Sequence, residues 1–465
     1  MTADDRVEEP VSGRLEHHIN GGVLEPGDEG YDESRRVWNG MIDKFPAAIV
    51  RCTGTADVIA AVDYARENDR LLAIKGGGHN VAGKSTCDGG ILIDLSLMNS
   101  VRVDPSSETA RVGPGAKWAD FDHEAQAFGL ATTGGFISTT GVAGLTLGGG
   151  IGYLARKFGL STDNLIGVDV VTADGEFVHA SEAENPGLFW GLRGGGGNLG
   201  IVTCFNFELH GVGPEVLTAQ VVHPIEDAED ALYFYKEFMA DAPNEVACYA
   251  TVAHVPEVPR FPEVLHGQIV VGLFACYAGP VDKGRPEFEP FADFGDPIFA
   301  AVHPMRYADL QQFFDGGQPR GERYYWKSHY LQSLPEGAID TIASRTESLP
   351  GRYTQIVIEP MGGAINEVDE TETAYPHRNA AYTFGVFSGW GDPNADDEMI
   401  AWTRNFHEEM SPYATGAVYS NYLDRDEEER ISAAYGENYE RLVELKEEWD
   451  PDNLFSLNQN VQPSS

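Results

Sequence analysis

Three glycine-rich clusters constrain this 465-residue chain more than any other feature: KGGGHNVAG from Lys75, a block from Gly134 to Gly159, and RGGGGNLGIVT from Arg193 to Thr203. Without a Cβ, a glycine lets its backbone N–H approach another backbone or an anionic group closely. The chain has 53 glycines, so isolated fingerprint matches arise cheaply. A GxGxxG at Gly195, Gly197 and Gly200 runs straight into IVTCFNF, which reads as a strand where a dinucleotide-binding fold needs a helix. A GxGxxA at Gly150, Gly152 and Ala155 follows GVAGLTL, which reads as a weak strand, and leads into ARKFGL, too short for a convincing helix. A nicotinamide Rossmann site is therefore disfavoured. Turn formation explains single glycines but not three clusters. Several loops converging on one large anionic cofactor is the economical reading.

Around these loops the pattern alternates. AAIVRC reads as a strand, TADVIAAVDYARENDR as an amphipathic helix with Thr55 as N-cap, and LLAIK and ILIDLS as further strands. Such a run belongs to an α/β or α+β domain. After about Gly213 glycines thin out, and apolar segments such as LTAQVVHP, VACYATVAHV and QIVVGLFACYA accompany the acidic ALYFYKEFMADA. This texture predicts a second domain with a sheet and flanking helices. ERISAAYGENYERLVELKEEWDPDNLF predicts one long helix stopped at Asp450-Pro451. The length exceeds what one hydrophobic core serves. The expected organisation is α+β: a polar, irregular N-terminal segment (1–46), a glycine-rich domain (47–213), a sheet-and-helix domain (214–428), and a closing segment (429–465).

Composition narrows the setting. Asp+Glu number 73 against Lys+Arg 32, a net charge of −41 spread along the chain. A dispersed acidic excess reads as a surface adapted to high salt, where screening shortens self-repulsion. It also argues against nucleic acid, since no basic stripe is present to displace counterions from phosphates. The five cysteines are scattered, with no CxxC pair, so neither a zinc site nor a disulfide framework is expected. No basic-then-apolar leader and no membrane-length apolar run is visible. The expected setting is the cytoplasm, without membrane or metal. Oligomeric state is not legible.

His79 stands among the glycines of the first cluster. A lone histidine is more often structural, but here the motif is specific. KGGGHNVAGKSTCDGGILIDLS resembles the flavin-attachment motif of the berberine-bridge-enzyme-like oxidoreductases, within the vanillyl-alcohol-oxidase, or PCMH-type, FAD-binding fold. GGGIGYLARKFGLSTDN and RGGGGNLGIVT resemble the family's second and third FAD segments. EPMGGAINEV, AYPHRNAAY, YSNYL, AYGENYERL and EWDPDNLFSLNQNV resemble its later signatures, in order. The resemblance implies that residues 47–213 are the FAD domain, rejoined by the closing segment, and that residues 214–428 are a substrate domain with an antiparallel sheet and flanking helices. It also implies FAD joined to His79 and a hydride taken from an alcohol or C–H centre of a small organic substrate. The acceptor for reoxidation is oxygen, or another molecule if the protein is a dehydrogenase. An inert flavin-holding protein is the non-enzyme alternative. The resemblance assigns Gly76, Gly77, Gly78, Asn80, Val81 and Gly83 to the pyrophosphate. It gives Thr139, Thr140, Gly141, Gly144, Gly149, Gly152 and Leu154 to the second half of the cofactor and Ile201 to the adenine end. Asn458 and Asn460 close over the flavin. Many family members carry a second link through a cysteine; that position falls on Ile137, so a single attachment is expected, with Cys87 the only cysteine near a flavin motif. The plant-type catalytic tyrosine position is Ile151.

Hydride removal from a carbinol is eased by a base within hydrogen-bond reach. Read as a strand, YSNYL puts Tyr419 and Asn421 on one face and Tyr422 on the other. The resemblance turns Tyr419 toward the flavin, making it the leading candidate, with Tyr153 and Glu359 behind it. His377 is as readily structural as pocket-lining, and Arg378 is expected to pair with a surface acid.

Overall fold

The computed structural model describes residues 11–258 and 261–464. The strand–helix–strand run near the N-terminus forms a four-stranded sheet in the order Gly22–Leu24, Ala48–Arg51, Ile91–Asp94, Leu72–Lys75. The last three strands are parallel, and the first is antiparallel to Ala48–Arg51. Helix Thr55–Glu67 packs Val58, Ala61, Val62 and Ala65 onto this sheet. The helix starts after Gly54, and no side chain caps it, so Thr55 is its first residue and not its cap. Part of the segment expected to be irregular is built in. Strand Gly22–Leu24 extends the sheet, and the Asp57 carboxylate accepts the N–H groups of Asn20 and Gly21 at 2.8 and 3.1 Å.

Beside it lies a five-stranded antiparallel sheet, ordered Val101–Asp104, Thr109–Val112, Ile201–Glu208, Leu165–Val171, Phe177–Ala180. The strand after the third glycine cluster is thus real. GVAGLTL, expected as a strand, is instead helix Val142–Leu147, and ARKF is a single helical turn.

The third sheet has seven antiparallel strands in the order Phe299–Arg306, Glu215–Pro224, Ile269–Tyr277, Val246–His254, Gln355–Pro360, Tyr382–Trp390, Arg323–Leu331. Strand alternation sorts its side chains. Cys248, Ala250, Val252, Ile356, Ile358, Phe384 and Val386 join a core with the apolar faces of helices Ala228–Asp241, Glu336–Thr346 and Asp396–Met410. Tyr249, Thr251, Gln355, Val357, Glu359 and Phe387 point to the opposite face, toward the glycine loops.

The expected C-terminal helix is broken. Ile431–Tyr435 ends at Gly436, whose φ of +48° strains any other residue, and Tyr439–Trp449 follows. Arg378 is not at the surface. It is fully buried, and its guanidinium donates to both oxygens of Asp163 at 2.6 and 3.0 Å and to Thr373 Oγ1. Removing one partner of such a pair typically costs about 3–5 kcal/mol. His377 is structural, with Nε2 on the carbonyls of Ala433 and Ala434. Among the described residues, no helix is long and apolar enough to cross a membrane.

Candidate active site

A cavity of about 340 Å³ separates the glycine loops from the free face of the seven-stranded sheet. On the loop side it is lined by Gly76, Gly77, Gly78, His79, Asn80, Thr140, Gly141, Gly144, Ile201 and Asn458, and by Gly196, Gly197 and Gly200 of the third cluster. Here two backbones touch. A Cβ on Gly77 would lie 2.4 Å from the Gly141 nitrogen, and one on Gly141 would lie 2.5 Å from the Gly77 nitrogen. Only glycine at both places lets the first two loops meet.

Several residues assigned to the cofactor by motif lie behind this wall. Val81 packs with Trp38 and Tyr324, Gly83 lies against Ile42, and Gly152 backs onto the Gly134 carbonyl. Gly149 sits against the rings of Tyr375 and Tyr419, and Leu154 is in the core beside Tyr153. Asn460 is not among the lining residues, and Thr139 reaches the site only through a 3.1 Å contact of its Oγ1 with His79 Nε2. They shape the loops from the far side. Tyr153 is turned away too, edge-on to Phe136 and Tyr249.

His79 is held in place by packing. Its ring stacks on Trp38 (centroids 5.3 Å apart, planes at 16°), which stacks in turn on Tyr324. Burial, with Lys117 and Arg320 nearby, lowers its pKa to about 3. The imidazole is therefore neutral at any ordinary pH, the form able to act as a nucleophile.

The closing segment seals the loops. Asn458 Nδ2 donates to the carbonyls of Gly197 and Phe455 at 3.0 and 2.8 Å, and Lys84 Nζ donates to the Asn458 carbonyl at 2.7 Å. The Asn458 Oδ1 is buried without a protein partner, an acceptor open to a ligand N–H or O–H. A glycine-walled groove, a neutral histidine and this open acceptor fit an FAD. Cys87 does not reach the cavity; its thiol is buried, donates to the Ile91 carbonyl at 3.8 Å, and is pushed up to about 11 by burial. Ile137 and Ile151 do line it.

YSNYL is not a strand. Ser420–Tyr422 form a 3₁₀ turn docked on Gly148–Gly150. Tyr419 Oη accepts the Gly150 N–H at 2.8 Å and the Asn421 amide at 2.9 Å. Burial pushes its pKa well up, and Glu359 pushes it further against the pull of the two donors. The phenol stays neutral. Glu359 lines the cavity from the centre of the sheet, fully buried. Tyr422 Oη donates to its Oε1 at 2.8 Å, and the Thr383 hydroxyl donates to Oε2. Burial outweighs these donors and raises the carboxyl pKa to about 7. Trp38, Lys84 and the Tyr422–Thr383 pair escape sequence reasoning, because each acts across a long sequence separation. The alternation of Gln355, Val357 and Glu359 is the one signal that could have found the sheet wall.

Known proteins agree with this architecture. Residues 46–181 match the FAD binding domain family, and residues 418–462 match the berberine and berberine-like family. An FAD-linked oxidoreductase of Dictyostelium discoideum is 33% identical, covering 96% of this chain and 95% of its own. The (R)-6-hydroxynicotine oxidase of Paenarthrobacter nicotinovorans is 30% identical over 96% of this chain and 97% of its own. Among solved structures, 6-hydroxy-D-nicotine oxidase from Arthrobacter nicotinovorans superposes with a TM-score of 0.86 at 26% identity, covering 96% of this chain and 98% of its own. A BBE-like protein from Physcomitrella patens gives 0.87 at 25%, covering 97% and 99%. With a glycine-walled groove, a PCMH-type fold and whole-chain similarity all in agreement, this chain belongs to the berberine-bridge-enzyme-like family of FAD-linked oxidoreductases.

Proposed function

We propose that the protein holds FAD covalently through a ring nitrogen of His79, by that bond alone, and oxidises an alcohol or C–H centre of a small organic molecule. The observation that carries this is His79 itself: neutral, stacked on Trp38, and on the glycine wall of the cavity. Ile137 at the second-link position and the remote Cys87 support a single attachment. The loop glycines with Thr140 and Ile201 would receive the dinucleotide, and Asn458 would accept a hydrogen bond from it. When bound, FAD supplies the hydride acceptor; the protein supplies binding, orientation and the proton acceptor.

Glu359 takes the proton. A carboxyl near pKa 7 is matched to a general base working near neutrality, since it is substantially ionised yet still basic. The Tyr422 and Thr383 hydroxyls fix its two oxygens and stabilise the anion it offers. Tyr419, the leading candidate from sequence, serves better as a positioning residue. Its oxygen already accepts two hydrogen bonds, and no positive charge lowers its pKa. Oxygen is the proposed final acceptor. The cytoplasm is the proposed compartment, a reading supported by five free cysteines.

The test is acid precipitation. Flavin should stay with wild-type polypeptide and pass to the supernatant in His79→Ala. Mass spectrometry should find one flavinylated peptide, containing His79. Freely extractable wild-type flavin, or an adduct on Cys87, would refute the attachment. Anaerobic flavin bleaching across a panel of alcohols separates an enzyme from an inert carrier, and stopped-flow reoxidation separates oxygen from other acceptors.

A further inference from the structure

The active-site cavity has an annex. On the same sheet face lies a smaller pocket of about 60 Å³, lined by Val222, Val255, Val270, Phe274 and Phe313. Thr251, Phe314 and Gln355 line both spaces, so the two meet at these three side chains.

The sheet register sets the spacing between the two. Val222 pairs with Gly272, Gly272 with Thr251, Thr251 with Val357, and Val357 with Gly385. Residues paired directly opposite share a face, so these five form one row across five adjacent strands. Every member is small. The Phe274 ring lies flat across Gly272, where a Cβ would come within 2.5 Å of it, and Phe387 covers Gly385 in the same way. The two glycines make room for these rings, and the Phe274 ring becomes part of the annex lining. Strands lie about 4.8 Å apart, so the row runs roughly 14 Å from Val357, two residues before Glu359, to Val222 in the annex.

The chemistry of the lining is lopsided. Glu359 and Lys84 are the only Asp, Glu, Lys or Arg around the main cavity among the described residues, and Lys84 is engaged by the closing segment. Around Glu359 stand Tyr249, Trp326, Phe387 and Tyr422. No free cation stands there for a carboxylate or phosphate, among the described residues.

The geometry points to a substrate with one polar, oxidisable end at Glu359, a planar apolar middle among the aromatic rings, and a short alkyl or aryl arm in the annex. This deepens the oxidoreductase assignment of the same cavity. A single water needs about 10–15 Å³ of such space, so 60 Å³ takes an arm of about four to six heavy atoms.

The test uses holoenzyme with its flavin pre-reduced under anaerobic conditions, so that binding is read without turnover. Benzyl alcohol and its 4-methyl, 4-ethyl, 4-propyl and 4-butyl homologues are titrated by calorimetry. Each added methylene should tighten binding about fourfold. Val222→Phe fills the annex without touching the cavity. It should leave benzyl alcohol binding unchanged and abolish the gain with chain length, and Val270→Phe should do the same by an independent change. A flat wild-type series, no measurable binding by any homologue, or an unaltered slope in both variants overturns the inference. Flavin retention after acid precipitation reads the underlying assignment separately, so the two can fail independently.

Discussion

One wall of the cavity is backbone and the other is side chains. The loop wall is made of glycines whose main chains touch at Gly77 and Gly141, and its chemistry is a row of N–H groups and one imidazole. The sheet wall is made of side chains alternating along Gln355–Pro360 and Val246–His254, and its chemistry is one buried carboxyl among aromatic rings. A backbone wall can recognise a constant cofactor, because any residue larger than hydrogen destroys it. A side-chain wall can be rewritten one position at a time without moving the strand. Whole-chain relatives near 30% identity are therefore expected to share the first wall and differ in the second.

The largest test of this contrast is on the loop wall. Gly77→Ala places a methyl 2.4 Å from a backbone nitrogen that has no freedom to retreat. Nearly all bound flavin should be lost, read as the ratio of flavin to protein absorbance after purification. Full flavin content would show that the loop contact is not needed for binding.

Next in size is Glu359→Gln, on the sheet wall. Losing a positioned base typically slows the chemical step about 10²–10⁴-fold. Flavin reduction should slow by that order in anaerobic stopped flow, with flavin still attached. In wild type the carboxyl is protonated below about pH 7, so the reduction rate should fall as pH drops through that value. Glu359→Gln should lack this limb. A variant that keeps both the rate and the limb would remove Glu359 as the base.

How much of this is legible in sequence follows from the same division. The glycine loops, His79 and the individual strands around them are local, and a short window reports them; the parallel pairing of those strands is not. Other features depend on distant partners. VAGLTL has the Val and Thr content of a strand, but in the fold it is a helix that turns Ala143 and Gly144 to the cavity. YSNYL alternates like a strand, yet hydrogen bonds from Gly150 and Asn421 to Tyr419 Oη hold it as a turn. Arg378 lies two residues after a proline in a polar stretch, and only the fold brings Asp163 to pair with it. Tyr419 and Glu359 are both visible as candidates. Ranking them needs the donor count at each oxygen, which no local pattern contains.

Tyr419→Phe comes third, at the seam between the walls. Deleting the hydroxyl leaves the Gly150 N–H and one Asn421 N–H without their acceptor, a cost of about 1–3 kcal/mol. Thermal stability should fall by that amount, flavin should stay attached, and the reduction rate should change far less than in Glu359→Gln. A rate loss of about 10² with unchanged melting would restore Tyr419 as the base.

The smallest and most diffuse effect concerns the surfaces behind the two walls. Residues 214–428 carry 36 acidic against 13 basic groups, a net −23, whereas residues 47–213 carry 18 against 11, a net −7. The Debye length grows from about 3 Å at 1 M salt to about 30 Å at 0.01 M, so dilute buffer lets each acidic surface repel itself across its full width. The repulsion should concentrate in the more acidic region, which also holds the seven-stranded sheet. Melting temperature should rise from dilute buffer to molar KCl. Hydrogen exchange should show the strands of residues 214–428 opening before those of 47–213 as salt is withdrawn. If both regions loosen together, the charge difference has no bearing on local stability. If residues 47–213 open first, bound flavin should be lost before the sheet wall loosens. A profile flat in salt would mean that the acidic excess serves something other than folding.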